Sequence, residues 1–190
     1  MSTTDSEVDH QLAALHIRAG SPPDLRQRDR ALVWLLQNAD RAFPRVLARA
    51  TAEWNDPVLL DLLGRYRRAE STAVLLRAFS DERARLQAAS GLGLSPDPAA
   101  RAALRTALES AESGKAAAAL SGMGASGDPS YCVDIASQLH AENAEVRWMA
   151  VEAGARLACL GPATLESVSR SDGDAAVRAL AADKLKSLRP

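Results

Sequence analysis

The stretch Asn143-Ala144-Glu145-Val146-Arg147-Trp148-Met149-Ala150 returns further along the chain as Asp174-Ala175-Ala176-Val177-Arg178-Ala179-Leu180-Ala181. Each copy opens on a helix-capping residue, places an arginine four positions on, and continues as an alanine-rich helical pattern. Upstream, the basic position recurs at Lys115, within Gly114-Lys115-Ala116-Ala117-Ala118, and at Arg85, within Ala84-Arg85-Leu86-Gln87-Ala88. The spacing along Arg85, Lys115, Arg147 and Arg178 is nearly constant. A fixed period of this size specifies a stack of similar helical units, each too small to bury its apolar face alone.

Helix starts mark the units. Asp97-Pro98 and Asp128-Pro129 stand one such period apart, and Gly161-Pro162 follows after nearly one more. Aspartate caps free amides, and proline at the first helical position forfeits no hydrogen bond. These starts predict first helices from Pro98 to about Ala111, Pro129 to about His140 and Pro162 to about Ser169. Asp81, Asn143 and Asp174 cap the second helices; in the third unit Ala111 holds that position, so Ser113 is expected to cap instead. Gly93 and Gly124 read as C-terminal stops. Upstream the register is looser. An amphipathic segment from Arg41 to Trp54 precedes a helix from Asp56-Pro57 to Gly64, and Ser71 to Phe79 makes a short first helix. Ser21-Pro22-Pro23-Asp24 is another capped start, leading through Leu32, Leu35 and Leu36. Val8, Leu12 and Leu15 lie on one face, as an end-capping helix requires.

Composition agrees with this pattern. The chain of 190 residues is long enough for one domain with a core, and at 4% aromatic content its alanine and leucine suit close helix packing. The net charge of −1 gives no general attraction to nucleic acid or acidic membranes. Arginine is enriched between Arg18 and Arg85, with 13 Arg against 9 acidic residues. Lysine supplies only three of the 23 basic residues, which fits a GC-rich bacterial genome. Cys132 and Cys159 fall in different helices and read as small buried thiols of a reducing cytoplasm. No apolar leader core or membrane-length apolar run occurs.

The pattern Asp-x-x-Val-Arg-x-x-Ala, at Asp174 to Ala181 and Asn143 to Ala150, resembles the short bacterial repeats of the HEAT-repeat family. Leu92-Gly93 and Met123-Gly124 match the small-residue ending of that family's second helix. The likeness is good from Asp81 to Leu188 and loose from Arg41 to Phe79. It implies an all-α fold, a right-handed α-solenoid of about five helix pairs with an N-terminal capping helix. The whole chain, 1–190, reads as one domain: cap at 1–20, degenerate repeats at 21–80 and regular repeats at 81–190. The resemblance also implies that the periodic arginine links the turn of one repeat to the next, a role suited to charge-assisted bonds with loop carbonyls and carboxylates.

Few motifs point to chemistry. Gly122-Met123-Gly124-Ala125-Ser126-Gly127 fits G-x-G-x-x-G, but the alanine-rich segment before it is no strand, so dinucleotide binding is not expected. His10, His16 and His140 are scattered, no Cys or His pair has metal-ligand spacing, and no serine stands in a nucleophile elbow. Glu142, Glu145 and Glu152 sit on helical faces without a burial pattern to tune them. No enzyme activity, cofactor or metal is expected. Arg41, Arg45, Arg49, Arg65, Arg67 and Arg68, near Trp54, form a candidate nucleic-acid patch of the kind found in similarly folded DNA glycosylases. The chain's overall neutrality makes this the second choice.

In this family the second helices line the concave face. A helical wheel set on the residue before each periodic cation places Trp148 on the far side from a core stripe of Val146, Met149, Ala150, Ala153 and Leu157. Leu86, Leu120 and Trp148 are then expected to form an apolar strip on that face, beside Glu152 and Asp183. The expected function is a non-enzymatic, cytoplasmic scaffold whose partner is another protein, as an adaptor or an inhibitor such as an immunity protein. The alternatives are a nucleic-acid-binding or DNA-repair protein and a lyase-like subunit.

Overall fold

The computed structural model describes residues 3–15 and 25–188. All regular structure among them is helical: α1 (Thr3–Leu15), α2 (Leu25–Gln37), α3 (Ala39–Ala52), α4 (Pro57–Tyr66), α5 (Thr72–Phe79), α6 (Arg85–Leu94), α7 (Pro98–Leu108), α8 (Ser113–Ser126), α9 (Cys132–Ser137), α10 (Ala144–Arg156), α11 (Pro162–Ser171) and α12 (Ala175–Ser187). Single 3₁₀ turns extend α9 at both ends, Pro129–Tyr131 and Gln138–His140, so that it fills the expected span. The start at Ser21-Pro22-Pro23-Asp24 lies outside the described residues.

Five consecutive pairs, from α3/α4 to α11/α12, follow α1 and α2. Val8, Leu12 and Leu15 bury the inner face of α1, which packs on α2 and α3. The second helix of each pair packs on its successor, giving the row α4, α6, α8, α10, α12, and each first helix packs on its own partner. The core runs along this row without a break, from Leu35 through Leu63, Leu92, Leu120 and Met123 to Leu165.

Caps fix most of the starts. The Asp56 carboxylate accepts from the Val58 and Leu59 amides at 2.8 and 3.0 Å, and Asp97 from Ala99 at 2.8 Å. Asp128 accepts from Ser130, Asn143 from Glu145 and Asp174 from Ala176, each at 2.8 Å. Each such cap is worth about 1 kcal/mol. Two starts differ from expectation. Asp81 closes a turn onto the Arg83 and Ala84 amides, and α6 begins only at Arg85. Ser113 is the first residue of α8 rather than its cap; Glu112 precedes it with no capping side-chain bond.

Gly93 and Gly124 correct another expectation. Neither ends a helix: α6 runs to Leu94 and α8 to Ser126, with Gly127 closing α8 at φ 73°. Both glycines serve the row instead. A Cβ on Gly93 would stand 1.9 Å from the Gly122 carbonyl oxygen, and one on Gly124 would stand 2.9 Å from the Ala153 Cα. Backbone meets backbone there, and only hydrogen fits.

The cysteines are corrected as well. Cys132 opens α9 and Cys159 sits in the loop before α11; both are half-buried and joined in a disulfide, with Cα atoms 5.4 Å apart. Their separation of 27 residues nearly equals the repeat period, so the fold returns the chain to the same end of the neighbouring unit. Helix assignment alone carries no such distance.

Candidate functional site

Two of the periodic cations, Arg85 and Arg147, join one unit to the next. Arg85 is buried; its Nε donates to the Phe79 carbonyl at 3.3 Å and its Nη1 to the Glu112 carboxylate at the start of α8. Arg147 repeats the arrangement. Its Nη1 donates to the Ala141 and Glu142 carbonyls, both at 2.8 Å, while Nε and Nη2 grip Asp172 at 2.8 and 3.0 Å. Hydrogen bonding to Arg147 holds the Asp172 carboxyl below the usual carboxylate range and raises the guanidinium in turn. Arg178 bonds the Asp172 carbonyl at 2.7 Å, and Lys115 lies 6.0 Å from the Phe79 ring centre. These side chains belong to the frame.

A second strut joins the first helices. Arg101 reaches Asp128 at 2.6 Å and Arg105 reaches Asp134 at 2.9 Å, with both guanidiniums over the Tyr131 ring. Burial, opposed by Arg101, pushes the Tyr131 hydroxyl upward.

The expected apolar strip does not assemble. Leu86 is 54% exposed, whereas Leu120 is 0% exposed and belongs to the core. Wheel angle alone cannot separate the two, because it gives the direction of a side chain and not how closely a neighbouring helix approaches it. Trp148 is half-buried and packs against the core instead of facing solvent. Glu152 pairs with Lys184 at 2.8 Å, near the end of the row, and Asp183 is exposed beyond it.

Leu86 instead overlooks an open trough of about 590 Å³. Gly114, Ala117 and Ala118 of α8 lie in it between Leu86 of α6 and Met149 of α10, and Glu82, Glu112 and Glu145 also line it. The trough exists because the third unit is stripped. Gly114, Ala116 and Ala117 stand where the fourth unit carries Val146, Trp148 and Met149. That departure was visible in the sequence as an irregular repeat; the depression it leaves depends on neighbours supplied by the fold.

The arginine-rich half is largely engaged. Arg49 pairs with Glu53 at 3.0 Å, Arg65 with Asp61 at 2.8 Å, Arg68 with Asp40, and Arg45 approaches Asp9 at 3.8 Å. Arg41 lies 5.9 Å from the Trp34 ring centre, and Arg77 stacks on Trp54 at 4.7 Å. Trp54 therefore offers that face of its ring to an arginine already. Gly122 to Gly127 close a helix, with no strand before them among the described residues.

Among the described residues no cluster of three His, Cys, Asp or Glu is placed to hold a metal ion. No described helix is long and apolar enough to cross a membrane. No protein-family model matches the chain, and no curated protein matches it.

Proposed function

We propose that this chain is a non-enzymatic scaffold, a right-handed stack of HEAT-like helix pairs that binds another protein along the concave face of its second-helix row. Adaptor or inhibitor is the class of role this implies. The repeated Asp-x-x-Val-Arg-x-x-Ala pattern and the unbroken row α4, α6, α8, α10, α12 support the architecture. One observation carries the function: Leu86, more than half exposed, stands over a trough floored by glycine and alanine. An apolar side chain beside a depression with an apolar floor costs solvation in the free protein and is relieved when a partner covers it.

The compartment follows the cysteines. Free thiols would suit a cytoplasmic protein, whereas the Cys132–Cys159 disulfide suits an oxidising setting.

The test uses the full chain as bait in its native host. Leu86→Asp is expected to remove the proteins captured by the parent while helicity and melting temperature stay unchanged, since the side chain is exposed. Capture of the same proteins by the variant would exclude the trough as the docking site.

A further inference from the structure

We infer that the trough takes a cationic segment of the partner, an apolar side chain with arginine or lysine on either side; this assignment rests on the protein-docking reading above. The floor is Gly114, Ala117 and Ala118, and Leu86 and Met149 stand beside it, so the depression accepts a bulky apolar side chain. Its rim is acidic on both sides. Glu82 and Glu112 lie toward α6, and Glu145 lies toward α10.

Among the described residues Arg85 is the one cation lining the same trough, and its guanidinium is already bonded to the Phe79 carbonyl and to Glu112. Glu82 and Glu145 are exposed and have no ion-pair partner among the described residues. Carboxylates beside an apolar floor focus a negative potential that repels phosphate and acidic lipid and attracts ammonium or guanidinium groups. Packed helices stand about 8–10 Å apart, so crossing from the α6 side to the α10 side covers roughly 16–20 Å. An extended chain spans that in about six residues at roughly 3.3 Å each. The fitting segment therefore has cations about six residues apart with an apolar residue midway.

The probe is the labelled peptide Arg-Ser-Ala-Leu-Ala-Ser-Arg, read by fluorescence anisotropy against the intact protein. Controls replace both arginines by aspartate, or the leucine by serine. The arginine-ended peptide is expected to bind at least tenfold more tightly than the aspartate-ended one. Two exposed ion pairs are worth roughly fivefold together, so Glu82→Gln with Glu145→Gln should weaken it by about that factor. Glu82→Lys with Glu145→Lys should reverse the preference. Equal binding of both peptides, lost on Leu86→Asp, would overturn the charge assignment and leave the docking reading standing. Binding of none of the peptides would overturn the segment assignment, while capture through Leu86 still judges the docking reading. Displacement of the peptide by an oligothymidylate would also overturn it, in favour of nucleic acid.

Discussion

The middle of the row and its C-terminal end share an arginine–carboxylate joint but differ in what is added to it. Between α6 and α8 the Arg85–Glu112 pair is backed by a contact of backbone on backbone: a Cβ on Gly122 would stand 2.2 Å from the Ala89 carbonyl oxygen. Between the fourth and fifth pairs the contact is made by side chains, namely the Arg147–Asp172 fork and the Glu152–Lys184 pair. The Cys132–Cys159 disulfide adds a covalent tie at the same end. Dispersion across a glycine seam is indifferent to salt, pH and redox potential. An end built from ion pairs and sulfur answers to all three. The same repeat period thus places helices that are held together by unlike physics.

The largest expected effect breaks the seam. Gly122→Val must push α6 and α8 apart, and we expect a loss of more than about 3 kcal/mol, or a fall in Tm of at least roughly 6 °C. Gly161→Ala, where an added Cβ meets nothing within 4 Å, should melt like the parent. Thermal unfolding by circular dichroism separates the two, and a Gly122→Val protein with a normal Tm would dismiss the seam.

Opening the disulfide comes next. Replacing Cys132 and Cys159 by serine frees a loop of 27 residues, worth about 3.5 kcal/mol by loop-closure entropy. Hydrogen exchange should show protection lost from α9 to α11 while α6 and α8 keep theirs. Equal loss in both regions would erase the distinction between middle and end.

Arg147→Ala sharpens it further. The Asp172 side chain is only 6% exposed and would be left without its fork, a cost of about 2 kcal/mol. Because the fork depresses the pKa of Asp172, its contribution is whole above the unfolded value near 3.9 and is lost as pH falls through the lower folded value. The stability difference between parent and Arg147→Ala should therefore close below about pH 4. A difference that persists undiminished at about pH 2 would detach the effect from Asp172.

The smallest effect is expected at the half-exposed Glu152–Lys184 pair. Glu152→Gln should cost about 0.5 kcal/mol at low salt and nothing measurable in molar salt. A salt-independent loss would mean that packing rather than charge is at work there.

Much of the architecture was legible from local chemistry. Asp56, Asp97, Asp128, Asn143 and Asp174 announce helix starts because a short acceptor side chain satisfies amides two or three residues ahead. Arg85 and Arg147 recur because each donates to a carbonyl six residues back in its own pair, while their carboxylate partners across the junction lie 27 and 25 residues on. The candidate site was legible only at Leu86. Leu120 failed because its wheel angle is silent about the helices on both flanks of α8, and Trp148 failed for a related reason, since a half-buried indole can pack on the core from an outward angle.

By itself, then, the sequence determined the helix pairs, most of their caps and the recurring cation, since these are read from residues close together along the chain and from their period. Tertiary structure alone decided that Gly93 and Gly124 are contacts rather than stops, that Cys132 meets Cys159, and that Gly114, Ala117 and Ala118 lie at the bottom of a trough. Each of these is a distance between units. A repeat period states how often a unit returns, and it leaves the separation between neighbours to packing.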